Sequence, residues 1–465
     1  MTSVQSIDLT YQKVDDEDIV YEDFIAQTPE ELVAAKRKKW FGFAAILTLT
    51  VIAIICGILL VANIYISNSI TLYKYPLPES YTTLDQDLPG RCLDLTEPGY
   101  YFRGATDNEH DKHFVMYMGK GLSAFDNKTI DFLASSERSA NMNATMEYEG
   151  IYSQDSPFAG WNLMAADYCS RDSYVGNMSY NDPESVTAGW HFGGYTLFWA
   201  NFEAMLNDQG MDEATIIVVA GSETASEGFF HHIDDLVELL AVRAPNAEVK
   251  FLMDTAWRIF GLENSFADST EEGTKYDGTG AADQGYEETV YVRKWDGWRP
   301  VYHQGCMDSL ESKDQYLCGY TGTYLYPVMT TRDIHIHFNQ YDLLYAYTSA
   351  IPIDYEWNWD NATEEFSNYL ADEYVASVAT TDEETSFSAP TCRESMSLMY
   401  EMAFFAENME DPWYSEDWSR SMVDIYYKYA TENEIYRQYD DCGGVNCNPT
   451  CLSTTEILEY FGIAL

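Results

Sequence analysis

The stretch IIVVAGSETASEGFFHHID, at residues 216–234, carries the clearest structural signal in the sequence. An apolar run typical of a buried strand leads into Gly221 and several small residues, and a helical pattern follows. This is the layout of a nucleophile elbow, in which a tight turn holds one side chain out at the strand–helix junction. A hydrolase places serine at that apex, whereas this chain places Glu223 there. Taken alone, the stretch fits an ordinary strand–helix turn equally well.

In the rest of the predicted domain, strand patterns also alternate with helix patterns. Short apolar runs predict strands at residues 114–117, 216–220, 249–253 and 334–338. Helical spacing of apolar residues predicts helices over residues 195–206 and 229–240. Strands that alternate with helices predict an α/β fold, with a mainly parallel sheet flanked by helices.

A single transmembrane helix is predicted before this domain. Residues 41–62 contain no charge and no proline, and about 20 apolar residues suffice to cross a bilayer. Basic residues at 36–39 precede the run, which places the N-terminus in the cytosol and predicts a single-pass type II protein. We therefore predict a cytosolic tail (1–40), a transmembrane signal anchor (41–65), a stalk (66–90) and a lumenal or extracellular domain (91–465). The expected location is the Golgi lumen or the cell surface.

Cysteines and glycosylation sequons agree with that topology. Eight cysteines beyond the anchor predict up to four disulfides: Cys92, Cys169, Cys306, Cys318, Cys392, Cys442, Cys447 and Cys451. Four sequons predict glycosylation on the same side: Asn127, Asn143, Asn177 and Asn361. The last three cysteines offer a zinc site as a minor alternative, but no histidine lies near them in sequence.

Composition excludes one class of function. The chain has 76 acidic and 26 basic residues, a net charge of −50, which repels the phosphates of a nucleic acid. The acidic clusters favour a solvated surface over cation binding, because none has the spacing of an EF-hand loop. The sequence predicts no metal and no cofactor.

Six motifs in order give a family resemblance over about two-thirds of the chain. They are CLDLTEPGYY at 92–101, FVMYMGKGLS at 114–123, Trp161-Asn162 with Tyr168-Cys169, DTAW at 254–257, YLYP at 324–327 and PTC at 390–392. This order resembles the pectin acetylesterases and the related Notum carboxylesterases. The resemblance implies an α/β-hydrolase-like fold and an ancestry in ester hydrolysis.

The catalytic positions of that family are only partly matched. The resemblance places Glu223 on the nucleophilic serine, Ser395 on the basic histidine, and Asp342 on the retained acid. It places the oxyanion donors at Gly119, Gly121 and the Thr224 N–H. Lys120 and Leu122 replace a glycine and a tryptophan of the family's loop, and a serine nucleophile without its base retains little catalysis.

We therefore expect a membrane-anchored pseudoenzyme that binds a glycan, a lipid or a protein partner. Glu223 is expected to plug the former site, because a carboxylate is stabilised at a helix N-terminus. Rescue of catalysis by Ser222, or by a histidine of the 231–232 or 335–337 segments, is the less favoured hypothesis. The alternatives are an active esterase with a rearranged site, acting on an acetylated polysaccharide or a lipidated protein, and a structural surface glycoprotein.

Overall fold

The computed structural model describes residues 69–83, 88–121, 123–124, 142–182, 189–260, 286–340, 371–390 and 422–439. All of these residues lie in one compact unit, Asn68–Leu465. In this part of the chain, no helix has both the length and the apolar character needed to cross a membrane. The predicted tail and anchor lie outside the described residues.

Ten strands are present in the described residues. They are β1 (Ser69–Pro76), β2 (Gly99–Arg103), β3 (His113–Tyr117), β4 (Thr145–Ser153), β5 (Asn162–Ala166), β6 (Ile216–Ser222), β7 (Glu248–Asp254), β8 (Ile334–His337), β9 (Ser386–Ala389) and β10 (Arg437–Tyr439). The four predicted strands correspond to β3, β6, β7 and β8.

The α-helices with assigned bounds connect and flank these strands. They are α1 (Glu79–Thr82), α2 (Gly194–Asp208), α3 (Glu223–Phe230), α4 (Ile233–Arg243), α5 (Tyr286–Trp298), α6 (Gln304–Ser309) and α7 (Met422–Glu432). Residues 371–379 are also helical. Short 3-10 or π turns lie at Met211–Glu213, Gln315–Gly319, Thr321–Leu325 and Tyr326–Val328.

The strands form one mixed sheet in the order β10-β9-β8-β7-β6-β3-β5-β2-β1-β4. Neighbours are parallel from β10 to β5 and antiparallel from β5 to β4. The prediction of a mainly parallel sheet is therefore confirmed. Because parallel strands point the same way, β6, β7 and β8 end side by side, with Ser222 opposite Asp254 and Asp254 opposite His337.

The prediction of a stalk over residues 66–90 is wrong for its first part. Residues Ser69–Pro76 form β1, which pairs with β2 on one side and β4 on the other. Ile70 and Leu72 are buried in the core, so this segment belongs to the folded domain. Its mixture of polar and aromatic residues next to prolines resembles a linker in sequence, and its strand character depends on pairing with distant segments.

Apolar side chains cover both faces of the central strands. Along β6, Ile217 and Val219 enter one core cluster, and Val218 and Ala220 enter the other. Such two-sided burial explains the continuous apolar run in the sequence. The first cluster packs against α2, α3 and α4, and the second against α7.

The single helix predicted over 229–240 is two helices. Helix α3 ends at Phe230 and α4 begins at Ile233, with His231 and His232 between them. The apolar spacing continues through the break, so the pattern alone could not show it. Both histidines are buried.

Candidate functional site

The turn between β6 and α3 has the backbone of an elbow. Ser222 is extended, with φ −125° and ψ 150°, and Glu223 follows in the left-handed region with φ 55°. A residue other than glycine is strained there, and such strain is typical of functional turns. Glu223 is therefore the residue at the left-handed position of this turn.

Small residues are required around this turn. A Cβ atom at Gly221 would lie 2.6 Å from the ring of Phe229, and one at Gly228 would lie 1.2 Å from the Ser173 carbonyl oxygen. The second contact is with backbone, which cannot turn aside as a side chain does. Gly228 thus lets the Ser173 segment pack directly on α3.

The Glu223 side chain lies inside the protein, with 4% of its surface exposed. It stands in the first turn of α3, where the helix dipole favours a negative charge. Its charge acts on Arg171, whose guanidinium it stabilises. The position agrees with a plug and excludes a carboxylate in open solvent.

The loop before the elbow, residues 118–121, is tied to it by hydrogen bonds. The Ser222 amide donates to the Gly119 carbonyl at 3.1 Å, and the Thr224 hydroxyl donates to the Gly121 carbonyl at 2.5 Å. The Tyr168 hydroxyl lies 3.1 Å from Thr224 Oγ1 and accepts a 2.6 Å bond from the Ser173 amide. Gly119 and Gly121 have φ of 93° and 120°, so glycine fits both positions.

Arg171 is a residue of this site that the sequence analysis missed. Its Nη1 atom lies 2.2 Å from where a Cβ at Gly121 would stand, and donates to the Lys120 carbonyl at 3.5 Å. Burial lowers the pKa of Arg171 to about 10, while the charge of Glu223 acts in the opposite direction. A basic residue two positions after the Tyr168-Cys169 motif was the available signal. We call Gly121, Arg171, Glu223 and Thr224 the elbow group.

Next to the elbow group, a buried polar row crosses the ends of four strands. It consists of Ser222, Asp254, His337 and Ser388, aligned on β6, β7, β8 and β9. The Ser222 hydroxyl donates to Asp254 Oδ2 at 2.9 Å, so it is engaged away from the apex. His337 Nε2 lies 4.0 Å from Asp254 Oδ1, and its Nδ1 lies 2.8 Å from Ser388 Oγ.

The histidines of the described chain near this edge are packed and neutral. His335 contacts Ser386 Oγ and Ser388 Oγ at 2.8 and 2.9 Å, and burial lowers its pKa to about 3. Burial also holds the pKa of His337 well below its usual range. His232 Nε2 lies 2.9 Å from the Tyr174 carbonyl oxygen, and burial lowers its pKa to about 4. His231 stacks on Tyr302.

Two predicted catalytic positions, Asp342 and Ser395, lie outside the described residues. So do Leu122, two sequon asparagines (Asn127 and Asn361) and four cysteines (Cys392, Cys442, Cys447 and Cys451). Of the remaining sequon asparagines, Asn143 is exposed and Asn177 is partly buried.

The four predicted cysteines within the described residues form two disulfides, Cys92–Cys169 and Cys306–Cys318. The first joins the start of the domain to the segment that precedes Arg171. Within the described residues, the one close group of three metal-ligand types is Cys92, Asp167 and Cys169. Its two sulfurs are bonded to each other and are therefore not thiolate ligands.

Comparison with known proteins gives consistent matches. Residues 80–452 match the family described as Pectinacetylesterase. The palmitoleoyl-protein carboxylesterase notum2 of Xenopus laevis is 23% identical over 372 residues, which cover 77% of this chain and 71% of that protein. The palmitoleoyl-protein carboxylesterase NOTUM of Mus musculus is 23% identical over 247 residues, which cover 51% of this chain and 45% of that protein.

A solved structure shares the fold. The Wnt deacylase Notum from Drosophila superposes with a TM-score of 0.63 at 17% sequence identity, covering 83% of this chain and 100% of that one. The superposition supports the α/β-hydrolase-like architecture. At 17% identity it says nothing about the activity of this chain.

Proposed function

Because this chain belongs to the pectinacetylesterase family, we propose that it is a family member that binds a ligand or partner without hydrolysing an ester. One observation carries the proposal. The apex of the elbow, which the family resemblance assigns to a serine nucleophile, is occupied by the buried carboxylate of Glu223.

The chemistry of acyl transfer explains why this substitution matters. In the serine esterases that this family resembles, the reaction needs a hydroxyl activated by a base within hydrogen-bond reach. Attack by the Glu223 carboxylate on an ester would form an acid anhydride, which is higher in energy than the ester. The hydroxyl of the preceding residue, Ser222, donates to Asp254. Removing a nucleophile or base leaves a remnant of about 10³–10⁴-fold over water in enzymes that use a Ser-His-Asp triad. That remnant is far below an enzymatic rate.

The proposal extends to two positions outside the described residues. Ser395 stands where the family resemblance expects the base, and serine cannot take a proton at neutral pH as histidine does. Asp342 then remains as an acid without a histidine to orient. With nucleophile and base both replaced, the fold is available for binding a glycan, a lipid or a protein.

Membrane anchoring is a second part of the proposal. Two disulfides support an oxidising compartment for the domain, and the uncharged run at 41–62 supplies an anchor. We expect a type II glycoprotein whose domain faces the Golgi lumen or the cell exterior. Loss of mass on treatment with an N-glycosidase, together with protection of the domain from protease in sealed vesicles, would support this topology. A domain that is digested in intact vesicles would contradict it.

Hydrolysis by the full chain in detergent tests the catalytic part. The substrates are p-nitrophenyl acetate and p-nitrophenyl octanoate, a short and a long acyl ester. We expect equal background rates for the wild type, Glu223→Gln and Asp342→Ala. Wild-type turnover that falls in either variant would show an active esterase whose site includes those residues. Turnover that survives both changes would identify a different active site, and either result overturns the proposal.

A further inference from the structure

We infer that the elbow contains a carboxylate-binding site which is already filled by the chain's own Glu223, with Arg171 as the group that binds the carboxylate. The inference rests on the proposed function, in which Glu223 plugs the former ester site. Beyond that function, the inference names Arg171 as the binding residue and a carboxylate as the chemical class of ligand.

The backbone holds Arg171 in a fixed position. Arg171, Ser173 and Tyr174 all have left-handed φ angles, between 54° and 55°. Between them, the buried Asp172 carboxylate accepts bonds from the Tyr174 amide at 3.2 Å and the Gly194 amide at 2.8 Å. Several strained residues held by a buried carboxylate indicate a loop that the surrounding structure determines closely.

The guanidinium of Arg171 lies on the loop before the elbow. It lies next to Gly121 and over the ring of Tyr168, with 5.4 Å between Cζ and the ring centroid. The Arg171 carbonyl accepts a 2.7 Å bond from the Ala124 amide, which fixes the other side of the residue. The guanidinium of this partly buried residue therefore lies at the strand–helix edge.

Gly121 connects this guanidinium with the apex. The same residue contacts Arg171 Nη1 and accepts the hydroxyl bond of Thr224, the residue that follows Glu223. Arg171 and the residue next to Glu223 therefore meet at the same glycine. Their charges interact, since the negative charge of Glu223 supports the protonated form of Arg171 against burial.

Physical chemistry favours a pair at this position. A buried charge without a partner is costly, and removing one member of a buried pair destabilises the protein more than the pair itself contributes. A guanidinium binds carboxylates preferentially, because its planar N–H groups match the two oxygens. A carboxylate from solution is therefore the ligand that can replace the Glu223 side chain.

Rescue by acetate tests the inference on the full chain in detergent. In Glu223→Ala, Arg171 loses the negative charge that stabilises its guanidinium, and space opens at the apex. We expect sodium acetate at about 100 mM to raise the thermal midpoint of Glu223→Ala by about 1–3 °C, saturably, relative to sodium chloride. The wild type should respond equally to both salts, because its site is filled. Acetamide, which has the shape of acetate without the charge, should have no effect.

Two control proteins decide which group binds the anion. Adding Arg171→Ser to Glu223→Ala should abolish the acetate effect. Glu203→Ala removes the partner of another arginine, Arg243, whose Nη1 lies 3.1 Å from Glu203 Oε1. It should show no acetate rescue, because both side chains of that pair are partly exposed and water can replace the lost carboxylate. An acetate effect that survives Arg171→Ser, or one of equal size in Glu203→Ala, would overturn the inference.

A second substitution covers the case in which Glu223→Ala does not fold. Glu223→Gly opens the same space and suits the left-handed backbone of residue 223, so it should fold and show the same acetate rescue. No acetate effect in a folded Glu223→Gly protein would overturn the inference. Failure of the proposed function is a separate result, because it appears as ester turnover by the wild type and not as an altered response to acetate.

Discussion

The elbow group and the polar row lie side by side at the carboxyl edge of the sheet, and they differ in what their residues can do. The polar row contains a serine, an aspartate and a histidine, yet Ser222, Asp254 and His337 are at most 1% exposed. The elbow has the apex position that catalysis needs, but its side chain is a carboxylate. The residue types of a hydrolase are present in one place and the geometry in the other. A site requires both together.

The largest effect is expected at Gly228, which supports the elbow. Gly228→Ala would put a methyl group 1.2 Å from the Ser173 carbonyl oxygen, so α3 or the Ser173 segment must move. We expect a loss of about 3 kcal/mol or more in the free energy of unfolding, measured by urea denaturation of residues 68–465.

Gly104→Ala is the matched control for that substitution. A Cβ there meets only an Asn162 side-chain oxygen at 3.9 Å, an ordinary contact, so its unfolding midpoint should stay close to wild type. Equal midpoints for Gly228→Ala and Gly104→Ala would show that the elbow is not held by this packing.

The next effect is expected in the polar row. Asp254 accepts the hydroxyl hydrogens of Ser222 at 2.9 Å and Thr255 at 3.1 Å. Asp254→Ala leaves buried donors unpaired, and we expect a loss of about 2–4 kcal/mol in the free energy of unfolding. Asp212→Ala, at an exposed position, should change it by less than about 0.5 kcal/mol. An unchanged free energy of unfolding in Asp254→Ala would mean that the polar row does not stabilise the sheet edge.

Strand β8, which carries His337 of the polar row, also makes a prediction about pH through its second histidine, His335. Burial lowers the pKa of His335 to about 3, whereas an unfolded histidine has a pKa of about 6.5. Because the unfolded chain takes up the proton first, stability is present above about pH 6.5 and is lost as the pH falls below it. The loss is about 2 kcal/mol for this histidine between pH 7.5 and pH 5.

Urea unfolding at the two pH values measures that loss. His335→Gln should lower the difference in unfolding free energy between pH 7.5 and pH 5 by about 2 kcal/mol. His110→Gln, at a partly exposed position, is the control for the loss of a histidine as such. An unchanged pH dependence in His335→Gln would indicate that this histidine is charged in the folded protein.

The smallest effect is expected at Thr224 in the elbow group. Thr224→Val keeps the shape but removes the bond to the Gly121 carbonyl and the contact with the Tyr168 hydroxyl. We expect a loss of about 1–2 kcal/mol in unfolding free energy. Thr215→Val breaks only a 3.5 Å contact at the surface and should be close to neutral. A larger loss in Thr215→Val than in Thr224→Val would contradict the account of the loop.

The sequence predicts the strands and the elbow turn of this molecule better than the residues that form its candidate site. The buried strands β6 and β7 follow from continuous apolar runs, and the elbow follows from the small residues after β6. Strand β1 is not predicted, because its sequence has no clear strand pattern and it is stabilised as a strand by pairing with β2 and β4. The break at His231 is hidden because apolar spacing continues across it.

The site residue that the sequence does not reveal is Arg171. Its role depends on a left-handed loop that packs against Gly228 and reaches Gly121, segments distant from it in the chain. No local pattern encodes that approach. Glu223 could be recognised because its position is defined within one strand–turn–helix unit.

Gain of ester hydrolysis tests the central claim most directly. The measurement compares p-nitrophenyl acetate turnover by the wild type, by Glu223→Ser/Ser395→His, and by the same double variant with Asp342→Ala. The account predicts background rates for the wild type, a rate about tenfold or more above background for the double variant, and loss of that gain with Asp342→Ala. Clear wild-type turnover, equal to or above that of the double variant, would contradict it.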